Sequence, residues 1–163
     1  MRRQVYSLLV DNNPGVLSRI AGLFSRRGYS IDSITAGRTA DPRFTRITVV
    51  TSGDELILEQ IEKQLNKKLD VIKVKTLSQE QCYTRELMLL KVKYNKNNRR
   101  DIIEICDIMK TEIVDMSKHF MMLQICDSPE KIDTLIKMLQ SISIVEVART
   151  GTLALSKCAE NDD

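Results

Sequence analysis

The period of the apolar positions changes along the chain in a fixed order. Gln4 to Val10 reads as a short apolar strand. Asn12-Asn13-Pro14-Gly15 interrupts it. Leu17, Ile20, Ala21 and Phe24 then recur at i, i+3, i+4 and i+7, which sets one stripe along a helix. Asn13 is placed to cap that helix with Pro14 at its first position, where the missing N–H costs nothing. Arg26 and Arg27 suit the negative end of the helix dipole, and Gly28 supplies a left-handed stop. Tyr29 to Gly37 and Phe44 to Thr51 read as strands joined by turn chemistry at Thr39-Ala40-Asp41-Pro42-Arg43. Asp54 caps a helix with Leu58, Ile61, Leu65 and Leu69 on one face. Val71 to Leu77 closes this half as a strand in which Ile72 and Val74 alternate with Lys73 and Lys75.

Ser78-Gln79-Glu80-Gln81 breaks the pattern, and the same order then repeats. Leu87 to Tyr94 is a strand, and Arg99 to Lys110 a helix with Ile102, Ile105, Cys106 and Met109 inward. Glu112 to Met116 pairs with Phe120 to Ile125. Ser128-Pro129-Glu130 starts a helix carrying Ile132, Leu135, Ile136 and Leu139, Ile144 to Ala148 is a closing strand, and Gly151 to Leu155 a short extension. Two βαββαβ units predict an α+β chain of two ferredoxin-like domains, with helices on one face of each antiparallel sheet. The expected division is residues 1–77, a linker at 78–84, a second domain at 85–157 and a frayed tail at 158–163, acidic over Glu160 to Asp163.

Charge and composition narrow the chemistry. The formal net charge is +3, split into +5 through Leu77 and −2 beyond it, which solvated faces of unequal composition explain without a nucleic-acid partner. A βαββαβ sheet that reads RNA needs aromatic side chains on its central strands. Aromatics are only 4% of this chain, and Phe44 to Thr51 offers a single Phe at its edge. No apolar run approaches the roughly 18 residues of a membrane span, and the basic start of the chain leads into Asp11 and Pro14 rather than a cleavage site. The reading is a cytoplasmic protein. Cys82, Cys106, Cys126 and Cys158 are dispersed, with no C-x-x-C pair, and His119 is the sole histidine. No tetrahedral metal site and no nucleophile–base–orienter set follows from that inventory, so catalytic and metal-binding residues are expected to be absent.

The most informative segment is Asp11 to Ser18. A helix N-terminus carries partial positive charge and N–H groups without intrahelical partners, and Gly15 lets a ligand approach them. That arrangement suits a small carboxylate, by the physics that holds phosphates at helix ends. Asn12 adds an amide able to donate and accept, which fits a ligand with carboxylate and ammonium on one carbon. Val16 and Leu17 offer apolar contact. Taken alone, N-P-G is equally a plainly capped helix, and on local physics that plainer reading is preferred.

Longer stretches add to this. S-L-L-V-D-N-N-P-G-V-L-S-R-I-A-G-L-F-S-R-R-G-Y-S-I-D-S-I-T (Ser7 to Thr35) resembles the ACT domain of the small, regulatory subunit of acetolactate synthase, also called acetohydroxyacid synthase. The similarity continues through D-P-R-F-T-R-I-T-V-V-T and L-E-Q-I-E-K-Q-L-N-K-K-L-D-V-I-K-V. R-E-L-M-L-L-K-V (Arg85 to Val92) and I-V-E-V-A-R-T-G (Ile144 to Gly151) are similar to its C-terminal domain. The resemblance implies a non-catalytic subunit without cofactors of its own. It would activate a catalytic large subunit that carries thiamine diphosphate, Mg and FAD, and confer feedback inhibition by a branched-chain amino acid, typically valine. It implies a homodimer through the ACT domains with the effector at their interface. Asn12, Gly15, Val16 and Leu17 of one chain would face Ser30 and Ile31 of the other, with Asn13, Pro14 and Ser18 supporting.

One position departs from the family pattern. The family usually reads G-Y-N-I where this chain has Gly28-Tyr29-Ser30-Ile31. Serine is shorter and lacks the two-ended amide, so the implied sensitivity is retained but weakened or retuned. Ile144 to Gly151 and the first helix, with Arg19, Arg26 and Arg27, are candidate contacts for the catalytic subunit. A free-standing amino-acid sensor acting on another enzyme or a transcription factor is the competing reading. It shares the effector site and differs in partner.

Overall fold

The computed structural model describes residues 2–78 and 80–158. Gln79 of the expected linker and the acidic end from Glu160 to Asp163 lie outside the described residues. The element order is β1 (Arg2–Asp11), α1 (Val16–Arg26), β2 (Ser33–Arg38), β3 (Phe44–Gly53), α2 (Glu55–Asn66) and β4 (Val71–Leu77). It continues with β5 (Cys82–Lys93), α3 (Arg99–Met109), β6 (Glu112–Met116), β7 (Phe120–Asp127), α4 (Pro129–Met138), β8 (Ile144–Arg149) and β9 (Leu153–Ser156). One sheet has the order β2-β3-β1-β4 and the other β6-β7-β5-β8, with neighbours antiparallel. These are two ferredoxin-like βαββαβ units, the α+β architecture that the alternating periods predict.

The first unit is built on Tyr6, Leu8 and Val10 of β1 and Ile47 and Val49 of β3. They face Ile20, Leu23 and Phe24 of α1 and Leu58, Ile61 and Leu65 of α2. In the second unit, Met88, Leu90 and Val92 of β5 and Met121, Leu123 and Ile125 of β7 meet Ile102 and Cys106 of α3 and Ile132 and Leu135 of α4. Each fully buried aliphatic or aromatic side chain contributes about 1.5–3 kcal/mol.

The buried stripe of α1 is Val16, Ile20, Leu23 and Phe24. The stripe read from Leu17, Ile20, Ala21 and Phe24 is therefore rotated, and Leu17 stands 47% exposed. The end of α1 matches its sequence. Gly28 has φ +67, its N–H bonds Ser25 O at 3.2 Å and the Tyr29 N–H bonds Phe24 O at 3.0 Å. Those two bonds form a Schellman motif, and the rings of Phe24 and Tyr29 meet edge-on across it at 6.5 Å. In α2 the Asp54 carboxylate accepts from the Ile57 N–H at 2.8 Å, whereas Leu69 lies beyond the helix, fully exposed.

Ile72 does not point inward as the alternation predicts. The register between β1 and β4 slips so that Leu9 opposes Lys73 and Val10 opposes Val71, leaving Ile72 as a bulged residue while Val71 and Val74 pack inward. The second unit repeats the device. Lys91 opposes Glu146, Val92 opposes Ile144, and Val145 is the extra residue.

Two boundaries differ from the sequence reading. Within the expected linker 78–84 the Gln81 N–H bonds Ser78 O at 3.1 Å, and β5 already begins at Cys82. Residues 85–157 do not form the second domain as a block. That unit is Thr84–Gly151, and the segment from Thr152 returns to the first. The cause is local packing. Ala154 is buried with Leu77 and Cys82, Val5 packs on them, and the Thr152 N–H donates to Ser33 Oγ at 3.3 Å.

Tyr6 ties β1 to α2 by donating its phenolic O–H to Leu58 O at 2.8 Å. Burial, reinforced by the Glu62 carboxylate, pushes its phenol up to about 12. A folded value above the unfolded 10.0 means this stabilisation is complete below about pH 10 and is lost as pH rises through about 12. Tyr6→Phe is expected to cost about 1 kcal/mol at neutral pH and to flatten the alkaline fall in stability, read by urea unfolding between pH 7 and 11.5.

Candidate functional site

The turn from β1 into α1 is fastened on two sides. The Asp11 N–H donates to Asp70 O at 2.9 Å, and the Asn12 N–H donates to Arg43 O at 2.7 Å. The Asn12 amide is also fixed: its Nδ2 donates to Pro42 O at 2.9 Å and its Oδ1 accepts from Thr45 Oγ1 at 3.1 Å. An amide has two donors and two acceptor lone pairs, so one of each is left to face a ligand. Pro42 lies in the loop between β2 and β3, so that loop and the turn from β1 into α1 meet at one end of the sheet.

The helix starts later than its sequence predicts. Its N-cap is Gly15, at φ +82, and the first helical residue is Val16. Asn13 is not the cap and Pro14 is not at the first helical position. They form a turn before the helix, closed by the Val16 N–H on Asn13 O at 3.3 Å. The residue that joins such a turn to a helix takes a left-handed φ, which glycine adopts without strain. No side chain caps α1 and its first turn holds no acidic residue, so the positive end of the helix dipole is not neutralised from within the helix.

Asn12, Asn13, Pro14, Gly15, Leu17 and Ser18 are all exposed, whereas Val16 is buried in the core. Of the two apolar residues expected to touch a ligand, only Leu17 presents its side chain outward; Val16 can offer only its backbone. Arg19, one turn further on, grips Asp70 with Nε on Oδ2 at 2.7 Å and Nη2 on Oδ1 at 3.0 Å. That fork holds the Asp70 carboxyl below the usual carboxylate range. Neither this pair nor Thr45 was legible as part of the site. The partners are 51 and 33 residues apart, beyond any local pattern.

Ser30 and Ile31 lie elsewhere in the same chain. Ser30 is exposed, its carbonyl accepting from Thr51 Oγ1, and Ile31 packs partly against the core. The following Asp32 N–H bonds Val50 O at 2.8 Å. Asn12 is therefore anchored beside the start of β3 and Ser30-Ile31 beside its far end. At about 3.3 Å per residue that separation is roughly 20 Å. One chain does not bring the two groups of candidate residues together.

Among the described residues, no group of three or more His, Cys, Asp and Glu side chains is gathered as for a metal ion, and no helix is long and apolar enough to cross a membrane. Cys106 is buried, which pushes its thiol up to about 11. It is a packing residue of the second core.

Comparison with known proteins agrees with this geometry over nearly the whole chain. Residues 6–73 match the family model of the AHAS small subunit-like ACT domain, and residues 85–158 that of the small subunit of acetolactate synthase. A probable acetolactate synthase small subunit of Methanothermobacter thermautotrophicus is 42% identical, over 94% of this chain and 92% of that protein. The small subunit of acetolactate synthase isozyme 3 from Salmonella typhimurium is 40% identical over 95% of this chain and 96% of its own length. The crystal structure of the acetolactate synthase small subunit from Thermotoga maritima superposes with a TM-score of 0.89 at 34% identity, covering 98% of this chain and 99% of that one. Both units match in order and nearly end to end, and the chain belongs to the acetolactate synthase small subunit family.

Proposed function

We propose that this chain is a non-catalytic regulatory subunit. It activates the catalytic subunit of acetolactate synthase and makes it sensitive to feedback inhibition by valine in branched-chain amino-acid biosynthesis. The observation that carries the effector reading is the separation of the two half-sites by the length of β3. β2 is an edge strand of its sheet. A second copy pairing antiparallel along β2 brings its own Ser30-Ile31 end toward the Asn12–Ser18 end of the first, and each dimer then holds two complete sites. In this reading the ligand carboxylate meets the N–H groups opening α1, and Asn12 offers its remaining donor and acceptor to the polar end. Leu17 and the opposing Ile31 contact the aliphatic side chain.

Inhibition follows by linkage. An effector shifts catalysis only by its different affinity for two states of the assembly. Valine bridging two ACT domains fixes their mutual orientation and weakens the activating contact. Thiamine diphosphate, magnesium and flavin belong to the catalytic subunit in this reading, and the assembly works in the cytoplasm. The second unit and the arginines of α1 are the candidate contacts with that subunit.

Adding the purified chain to its catalytic subunit, with and without valine, leucine or isoleucine, tests the proposal. Activation that one of these amino acids reverses supports it; a chain that leaves turnover unchanged contradicts it. Ser30→Ala is expected to raise the half-inhibitory valine concentration roughly twofold to tenfold, the effect of one lost hydrogen bond. Undiminished inhibition in that variant removes the hydroxyl from the site.

A further inference from the structure

Arg19 has so far been only a candidate contact with the catalytic subunit, yet its guanidinium lies against the exposed glycine of the turn. A methyl group built on Gly15 would stand 3.0 Å from Arg19 Nη1 and 3.9 Å from its Cζ. Nε and Nη2 are spent on the two oxygens of Asp70. The planar fork therefore leaves its third nitrogen beside Gly15, the residue at which α1 opens without a side-chain cap. The Asp70 main chain holds the same turn through Asp11, so the fork and the amides share one rigid mount.

We infer that Arg19 is a carboxylate-binding residue of the effector site, its Nη1 donating to the same carboxylate that the amides opening α1 receive. Asp70 is the positioning residue that aims it. This rests on the effector reading above and adds a named recognition group to it. Pairing with Asp70 cancels most of the long-range charge, so Arg19 acts through a charge-assisted hydrogen bond of fixed direction. Lysine cannot substitute, because one ammonium cannot grip both Asp70 oxygens and present a second nitrogen. The contact also discriminates: it serves an amino acid with a free carboxylate and does little for the corresponding amide.

The test is a calorimetric cycle on the full-length chain with valine and valinamide as probes. Wild-type protein should bind valine at least about tenfold more tightly than valinamide, a charge-assisted bond against a weaker one. Arg19→Gln should weaken valine several-fold more than valinamide and so lower the ratio of the two affinities, leaving only the preference that the amides opening α1 supply. Asp70→Asn should reduce the ratio partly. A purely structural role for Arg19 would weaken both probes alike and preserve the ratio, and that result overturns the inference. Thermal unfolding without ligand establishes that each variant is folded. Should Arg19→Gln fail to fold, Arg19→Lys carries the same prediction. Wild-type protein that binds valine beside an unchanged ratio in the variant sinks the role of Arg19 alone. Wild-type protein that binds neither probe sinks the effector reading with it.

Discussion

Gly15→Ala is expected to raise the valine concentration needed for half-inhibition by more than about tenfold, with the chain still folded. Two independent costs meet at this position. At φ +82 a side chain is strained, by about 1–2 kcal/mol. The added methyl group would also come within 3.0 Å of Arg19 Nη1, whose guanidinium is anchored on Asp70 and cannot swing aside freely. Either the turn relaxes toward negative φ and misdirects its N–H groups, or the Arg19 fork moves; both spoil the place where a carboxylate docks. Gly28→Ala is the matched control. It sits at φ +67 with open space around a new methyl group, at the other end of the same helix. It should lose comparable stability but, although it leads into Ser30, lose less sensitivity than Gly15→Ala, because no side chain stands against its added methyl group. Valine titration of the reconstituted enzyme, beside thermal unfolding of each chain, separates the two effects.

Arg149→Leu is expected to destabilise the second unit by about 3–5 kcal/mol. Glu86 is a carboxylate with only 4% of its side chain exposed, and Arg149 grips it with Nε on Oε1 at 2.6 Å and Nη2 on Oε2 at 3.0 Å. The third nitrogen of Arg149 reaches Asp133 on α4 at 2.8 Å, so one guanidinium joins β5, β8 and α4. Removing it strands a buried charge. An exposed helical pair such as Lys63 with Glu59, at 3.3 Å, contributes no more than about 0.5 kcal/mol. Adding Glu86→Leu to Arg149→Leu should recover most of the loss, because the pair removed together leaves no orphan. Urea unfolding of the two single variants and the double variant closes that cycle. A loss below about 1 kcal/mol for Arg149→Leu would show that water reaches Glu86.

Much of the fold was readable because periods of two and of three to four residues alternate so plainly. Asp54, Ser128 and Gly28 stand where caps and stops belong, and the structure uses all three. The failures share a physical cause. Val16 and Leu17 exchanged roles because the Pro14-Gly15 turn delays the helix by two residues, which rotates the buried stripe. Ile72 turned outward because a bulge shifts the register between β1 and β4, and register is a property of two strands. Thr152 and Ala154 were assigned to the wrong unit because a four-residue strand is too short to show a period. At the site, Asn12 and Gly15 announce themselves by residue type. Thr45, Arg43, Asp70 and Arg19 do not, since each matters only through a partner distant in sequence.

Mixing two defective chains tests the central claim, that the effector site needs two copies. Gly15→Ala damages one half-site and Ser30→Trp, at an exposed position, blocks the other. Homodimers of either variant should bind little valine. Refolded together in equal amounts, half of the dimers are mixed, and each mixed dimer joins one intact Asn12–Ser18 segment to one intact Ser30-Ile31 segment. Calorimetry on that mixture should recover about a quarter of the wild-type binding capacity at near wild-type affinity, the statistical share for a site built across a two-fold axis. No recovery, with mixed dimers shown to be present, would place the whole site within a single chain and contradict the account.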